Sequence, residues 1–144
     1  MTKPLTKEEE QSLITSALNA MQNSYSPYSN FKVGAAVLTD SGRIFAGTNV
    51  ENSSYGLAVC AERNAIFSAV GSGARKFKGL ALVTKKVPGA KFNSPCGACR
   101  QVMSEFFNPD TPVYMVVLNG NKQETFKKTF KEVLPFPFPK LKDK

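Results

Sequence analysis

The sequence predicts an α/β fold, a three-layer α/β/α sandwich around a central mixed sheet. Three observations predict it. Short apolar runs of strand length, "KVGAAVLT", "GLALVTK" and "TPVYMVVL", alternate with longer stretches that carry a helical apolar period. The first two strands are separated only by a tight turn, so they pair antiparallel. The later strands are separated by a helix, which makes parallel neighbours.

The elements follow in order. Thr6 and Glu9 form a T-x-x-E capping box after Leu5, and Leu13, Ile14, Ala17, Leu18 and Met21 make one stripe of a first helix. "NSYSPYSN" (23–30) ends it with Ser, Asn and Pro. "FKVGAAVLTDSGRIFAGTN" (31–49) reads as two strands around a turn at Asp40 to Gly42. "VCAERNAIFSAVGSG" is a helix closed by Gly71 or Gly73, and the "GSGARK" stretch there reads as a helix end, since it lacks the rest of a phosphate-binding fingerprint. A buried strand follows over 78–85. "PCGACRQVMSEFF" is a helix opened by Pro95, with Val102, Met103, Phe106 and Phe107 inward. "TPVYMVVL" is a buried strand, "NGN" a turn, and "ETFKKTFKEVL" a last strand or short helix.

With 144 residues, 42% apolar and 21% charged, the chain is expected to form a single domain, 1–144, with a basic tail from about 139. The N-terminal "MTKPLTKEEE" is polar from the start, so no secretory signal is expected. The longest apolar run, "VYMVVL", is too short to cross a bilayer. A cytoplasmic protein with no membrane partner is the expectation. The net charge of +8 and pI of 9.5 invite a nucleic-acid reading. Lysines nevertheless spread widely, thickening over 75–86 and over 122–144, where seven Lys face three acids. A solvated surface explains them, and nucleic acid is not the expected partner.

The chemistry lies in the three cysteines, Cys60, Cys96 and Cys99, in a chain with no histidine. In a reducing compartment they argue for metal or catalysis over disulfides. Cys60 and Cys96 each stand at the entrance of a helix, where exposed N–H groups and the dipole favour a thiolate. Cys99 lies one turn beyond Cys96 on the same face. Structural zinc takes four protein ligands, whereas catalytic zinc leaves a position for water. Three cysteines without a fourth soft ligand point to the open, reactive kind. Zn²⁺ with three thiolates is net negative, which weakens its power to acidify water. Arg63 is placed to offset that charge, and Glu62 to move the proton.

The order C-x-E followed by P-C-x-x-C is that of the zinc nucleobase deaminases. Together, "YSPYSNFKVGAAVL", "TNVENSSYGLAVCAER" and "SPCGACRQV" resemble the small three-cysteine cytidine deaminases of pyrimidine salvage, from about residue 10 to Phe138. The resemblance implies a five-stranded sheet and one Zn²⁺ per subunit on Cys60, Cys96 and Cys99. It implies Glu62 as proton shuttle and Arg63 as the thiolates' charge partner. Asn49 and Glu51 would bind the ribose hydroxyls, and Phe31 would pack against the pyrimidine. The N–H of Ala61 would hold the ring carbonyl, and the carbonyl of Ser94 would face the leaving amine. Tyr55 and Phe138 would reach the sites of neighbouring subunits in a homotetramer. The implied reaction is hydrolysis of cytidine and 2′-deoxycytidine to the uracil nucleosides and ammonia, through a zinc-activated water attacking C4. Blasticidin S or nucleic acid as substrate, or a non-catalytic zinc-stabilised module, are the rival readings. The proline-rich basic tail and the net charge depart from the family's pattern.

Overall fold

The computed structural model describes residues 4–142. Helix α1 (Lys7–Met21) leads into strands β1 (Gly34–Thr39) and β2 (Ile44–Thr48), and helix α2 (Ala61–Gly71) follows a 3₁₀ turn at Tyr55–Leu57. Strand β3 (Phe77–Lys85), helix α3 (Gly97–Phe106), strands β4 (Pro112–Asn119) and β5 (Lys122–Thr129) and a short helix α4 (Phe130–Val133) complete the chain. The five strands form one sheet in the order β2-β1-β3-β4-β5. Strands β3 and β4 run parallel, with Leu82 opposite Met115, while β1–β2, β1–β3 and β4–β5 are antiparallel.

The period-two alternation of the apolar strands divides the core in two. Ala36 and Leu38 of β1, Ala81 and Val83 of β3, and Tyr114 and Val116 of β4 face α1, meeting Leu13, Ile14, Ala17 and Met21. The alternate residues Ala35, Val37, Leu80, Leu82, Val113 and Met115 face α2 and α3, meeting Ala61, Ala65, Ile66, Cys99 and Met103. The expected three layers are therefore present, with α1, among the described residues, the one helix on its side. The expected capping box forms in both directions, Glu9 N–H to Thr6 Oγ1 at 3.1 Å and Thr6 N–H to Glu9 Oε1 at 3.0 Å.

Two local readings are sharpened. The last segment is both a strand and a helix: β5 ends where Thr129 caps α4, its N–H donating to Glu132 Oε1 at 2.9 Å. The "NVEN" stretch, which by itself reads as a polar turn, is instead held between two backbone partners. Val50 bridges Tyr25 on one side and Val59 on the other. Glu51 N–H donates to Tyr25 C=O at 2.8 Å, and Val50 and Val59 exchange both backbone bonds at 3.0 Å. Asn49 and Glu51 are thereby fixed beside the segment that delivers Cys60.

Candidate active site

The start of α2 is set by three contacts. Cys60 is its N-cap in extended backbone, with φ −72° and ψ 156°, and its carbonyl accepts the Asn64 N–H at 3.2 Å. The Asn64 side-chain Nδ2 donates to the Thr48 carbonyl at 2.8 Å, tying the first turn of α2 to the end of β2. Opposite it, Gly47 leaves no room for a side chain: a Cβ there would lie 2.4 Å from Ala65 N and 2.6 Å from the Ala61 carbonyl. A glycine inside a strand marks such close backbone approach. The start of α3 is built alike. Cys96 is its N-cap, and Arg100 clamps the preceding turn, Nε donating to Pro95 C=O at 2.7 Å and Nη2 to Ser94 Oγ at 2.5 Å.

The two helix starts bring the three sulfurs together. Cys60 Sγ and Cys96 Sγ lie 3.8 Å apart, Cys96 Sγ and Cys99 Sγ 3.5 Å, and all three fall within 4.8 Å of one another. Thiolates at zinc–sulfur distances of about 2.3 Å on a tetrahedron sit about 3.8 Å apart. The triangle therefore fits one zinc ion, with one tetrahedral position left open. Cys99 is buried, Cys60 half-buried and Cys96 exposed.

Hydrogen bonding from the Cys99 thiol, aided by Arg63 and Cys96, brings the Cys60 thiol down to about 5, against burial that pushes it up. Cys99, the partner in that bond, is pushed the opposite way, up, by the bond to Cys60 and by burial. Arg63 Nη2 donates to Cys60 Sγ at 3.5 Å, and the two sulfurs of Cys60 and Cys99 keep its guanidinium firmly protonated. Its buried Nε has no hydrogen-bond partner among the described residues, so the Nη2 bond to Cys60 is the contact that anchors the guanidinium to the sulfurs. Glu62 is 4% exposed, and burial, reinforced by the charge of Cys60, raises its carboxyl to about 7. A carboxyl near 7 exchanges a proton readily at neutral pH.

Asn49 and Glu51 form a second cluster. Asn49 Oδ1 accepts from Ser24 Oγ at 2.5 Å and Val33 N–H at 2.9 Å, and Nδ2 donates to Phe31 C=O at 2.8 Å. Of its two donor and two acceptor positions, one N–H is left among the described residues. Glu51 Oε1 accepts the Tyr28 N–H at 3.0 Å and the Ser29 N–H at 3.1 Å, and Oε2 accepts the Ser29 hydroxyl. These bonds, the Ser29 hydroxyl foremost, hold its carboxyl below the usual range. Of a carboxylate's roughly four acceptor positions about one remains among these contacts. A cleft of about 330 Å³ opens here, lined by Tyr28, Ser29, Glu51, Asn52, Tyr55 and Ala58.

The remaining predicted residues are placed as follows. Phe31 is half-buried, tied through its backbone to Asn49 and Ser29. Ala61 is the first residue of α2, where helix N–H groups lack intrahelical partners. Tyr55 is 78% exposed and meets Tyr28 edge-on at 6.2 Å. Ser94 precedes the Cys96 turn. Phe138 does not join the cysteines within the chain; it is exposed and lines a separate hollow with Ser104, Phe107 and Phe130. The residues that sequence reasoning misses are Gly47, Asn64, Arg100 and Ser29. Only Gly47 carried a local signal, as a glycine within a strand.

The model of the cytidine and deoxycytidylate deaminase zinc-binding region matches residues 7–115. The chain is 46% identical over 130 residues to a cytidine deaminase of Sporosarcina psychrophila, covering 90% of this chain and 91% of that protein. It is 47% identical over 133 residues to the cytidine deaminase of Halalkalibacterium halodurans, covering 90% and 94%. The crystal structure of a Burkholderia pseudomallei cytidine deaminase superposes with a TM-score of 0.80 at 42% identity, over 93% of this chain and 100% of that one. With the sulfur triangle, the buried glutamate and these likenesses together, the chain belongs to the zinc-binding cytidine and deoxycytidylate deaminase family.

Proposed function

We propose that the protein hydrolyses cytidine and 2′-deoxycytidine to the corresponding uracil nucleosides and ammonia, in pyrimidine salvage. The observation that carries this is the buried Glu62, raised to about 7, in the helix turn that also bears Cys60 and Arg63. A purely structural zinc site has no use for an acid held there at the cost of its desolvation.

Cys60, Cys96 and Cys99 would hold the zinc, which when bound supplies a Lewis acid that lowers the pKa of a water. Glu62 takes the proton from the attacking water and delivers it to ring N3. Once the C4–O bond has formed, Glu62 takes the remaining proton of that oxygen and gives it to the amine as the C4–N bond breaks, which leaves the C4 carbonyl and ammonia. Arg63 offsets the thiolate charge. The N–H of Ala61 holds the ring carbonyl, the Ser94 carbonyl faces the leaving amine, and Phe31 packs on the ring. The free N–H of Asn49 and the remaining acceptor position of Glu51 offer one donor and one acceptor, a match for two sugar hydroxyls.

The protein works as one domain over 1–144, with a basic tail from about 139, in the cytoplasm. Among the described residues no helix is long and apolar enough to cross a membrane. It assembles as a homotetramer in which Tyr55 and Phe138, both exposed in the single chain, complete neighbouring sites. Ultraviolet monitoring of purified protein with cytidine tests the reaction, and light scattering tests the assembly. Conversion of the cytosine to the uracil spectrum is expected. No conversion by zinc-loaded protein, with turnover of blasticidin S instead, would overturn the substrate.

A further inference from the structure

We propose that Ser29 is a positioning residue that locks the Glu51 carboxylate into one arrangement, and so sets affinity for the sugar without taking part in chemistry. This rests on the reading of Glu51 as a sugar-binding carboxylate.

The geometry is specific. Ser29 touches Glu51 twice, its N–H on Oε1 at 3.1 Å and its hydroxyl on Oε2. The same hydroxyl accepts the Phe31 N–H at 3.0 Å. The Phe31 backbone N–H thereby orients the hydroxyl toward the carboxylate. The backbone is bent to allow it. Asn30 takes a left-handed φ of 58°, and its N–H closes a turn onto Ser26 C=O at 2.9 Å. Asparagine tolerates that region better than most residues. The turn swings the Ser29 hydroxyl between the Phe31 N–H and the carboxylate.

The consequence follows from rotamer freedom. Glu51 is a three-torsion side chain at the rim of the cleft, and a free carboxylate there would sample several positions. By donating a hydrogen bond to Oε2, the Ser29 hydroxyl keeps that oxygen aimed one way. A nucleoside then meets a carboxylate already ordered, and its binding need not supply the ordering entropy.

The test is steady-state kinetics on cytidine and on 2′,3′-dideoxycytidine, which lacks both ribose hydroxyls at issue. Ser29→Ala should raise KM for cytidine about tenfold with kcat nearly unchanged, the size of one hydrogen bond to a charged group. On 2′,3′-dideoxycytidine Ser29→Ala and wild type should behave alike. Ser29→Thr, which keeps the hydroxyl, should restore cytidine KM. In a Glu51→Ala background, Ser29→Ala should add nothing further. Equal losses on both substrates, or an unchanged cytidine KM beside a damaging Glu51→Ala, would overturn the role of Ser29 alone. A Glu51→Ala variant with wild-type cytidine KM would overturn the sugar-binding reading, and this inference with it.

Discussion

Gly47→Ala isolates the contact that positions the reactive helix. The added Cβ would lie 2.4 Å from Ala65 N, 2.6 Å from Ala61 O and 2.9 Å from Asn64 C, where ordinary contact begins near 3.4 Å. All three are backbone atoms, so no side chain can rotate away. Helix α2 must retreat by about 1 Å, and overpacking of this kind costs about 3 kcal/mol. The displaced turn carries Cys60, Ala61, Glu62 and Arg63, whereas Cys96 and Cys99 stay with α3. The sulfur triangle opens and Glu62 moves relative to it. A misplacement near 1 Å lowers kcat/KM about a hundredfold. Gly71→Ala is the control: it lies in the same helix, has nothing within 4 Å of the new Cβ, and should be neutral or gain up to about 1 kcal/mol. The assay pairs chemical denaturation at matched zinc with cytidine turnover. A Gly47→Ala protein with wild-type stability and kcat/KM would refute the claim that this contact sets the position of α2.

Asn64→Ala removes the donor to the Thr48 carbonyl and should cost about 1–3 kcal/mol in denaturation, with a smaller loss of turnover than Gly47→Ala. Cys99→Ala should abolish stoichiometric zinc, read by elemental analysis, because two sulfurs alone remain of the triangle. Tyr114 donates to Glu10 Oε2 at 2.7 Å, and burial, then Glu10, raises its hydroxyl above the ordinary value of 10.0. The native state thus binds that proton more tightly than the unfolded chain, so the contribution is complete below pH 10 and is lost as pH rises beyond it. Tyr114→Phe should cost about 1 kcal/mol at pH 7 and flatten the alkaline fall in stability, measured by denaturation from pH 8 to 12.

The elements were legible because each has a local cause. The Thr6–Glu9 capping box, the Leu13-Ile14-Ala17-Met21 stripe and the alternation in β1, β3 and β4 all act within a few residues. The cysteines were legible for the same reason, since placing Cys60 and Cys96 at helix entrances needs only the helix boundaries. What the sequence hid is set by topology. Asn64 finds Thr48 sixteen residues away, and Ser29 finds Glu51 at a separation of twenty-two. Such pairs arise only once α2 crosses β2 and the Tyr25 segment pairs with Val50. The last segment was ambiguous because β5 is a polar edge strand with a capping box at its end, so strand and helix signals overlap there.

The most direct test of the central claim is turnover of cytidine by zinc-loaded Glu62→Gln, with zinc content and fold measured on the same sample. The amide keeps the shape of the buried side chain and removes its proton chemistry. Full zinc, a native circular dichroism spectrum and a loss of kcat of at least about 1,000-fold are expected. A Glu62→Gln protein that holds zinc, folds and deaminates cytidine at the wild-type rate would contradict the assignment of Glu62, and with it the reading of this site as a deaminase centre built on that residue.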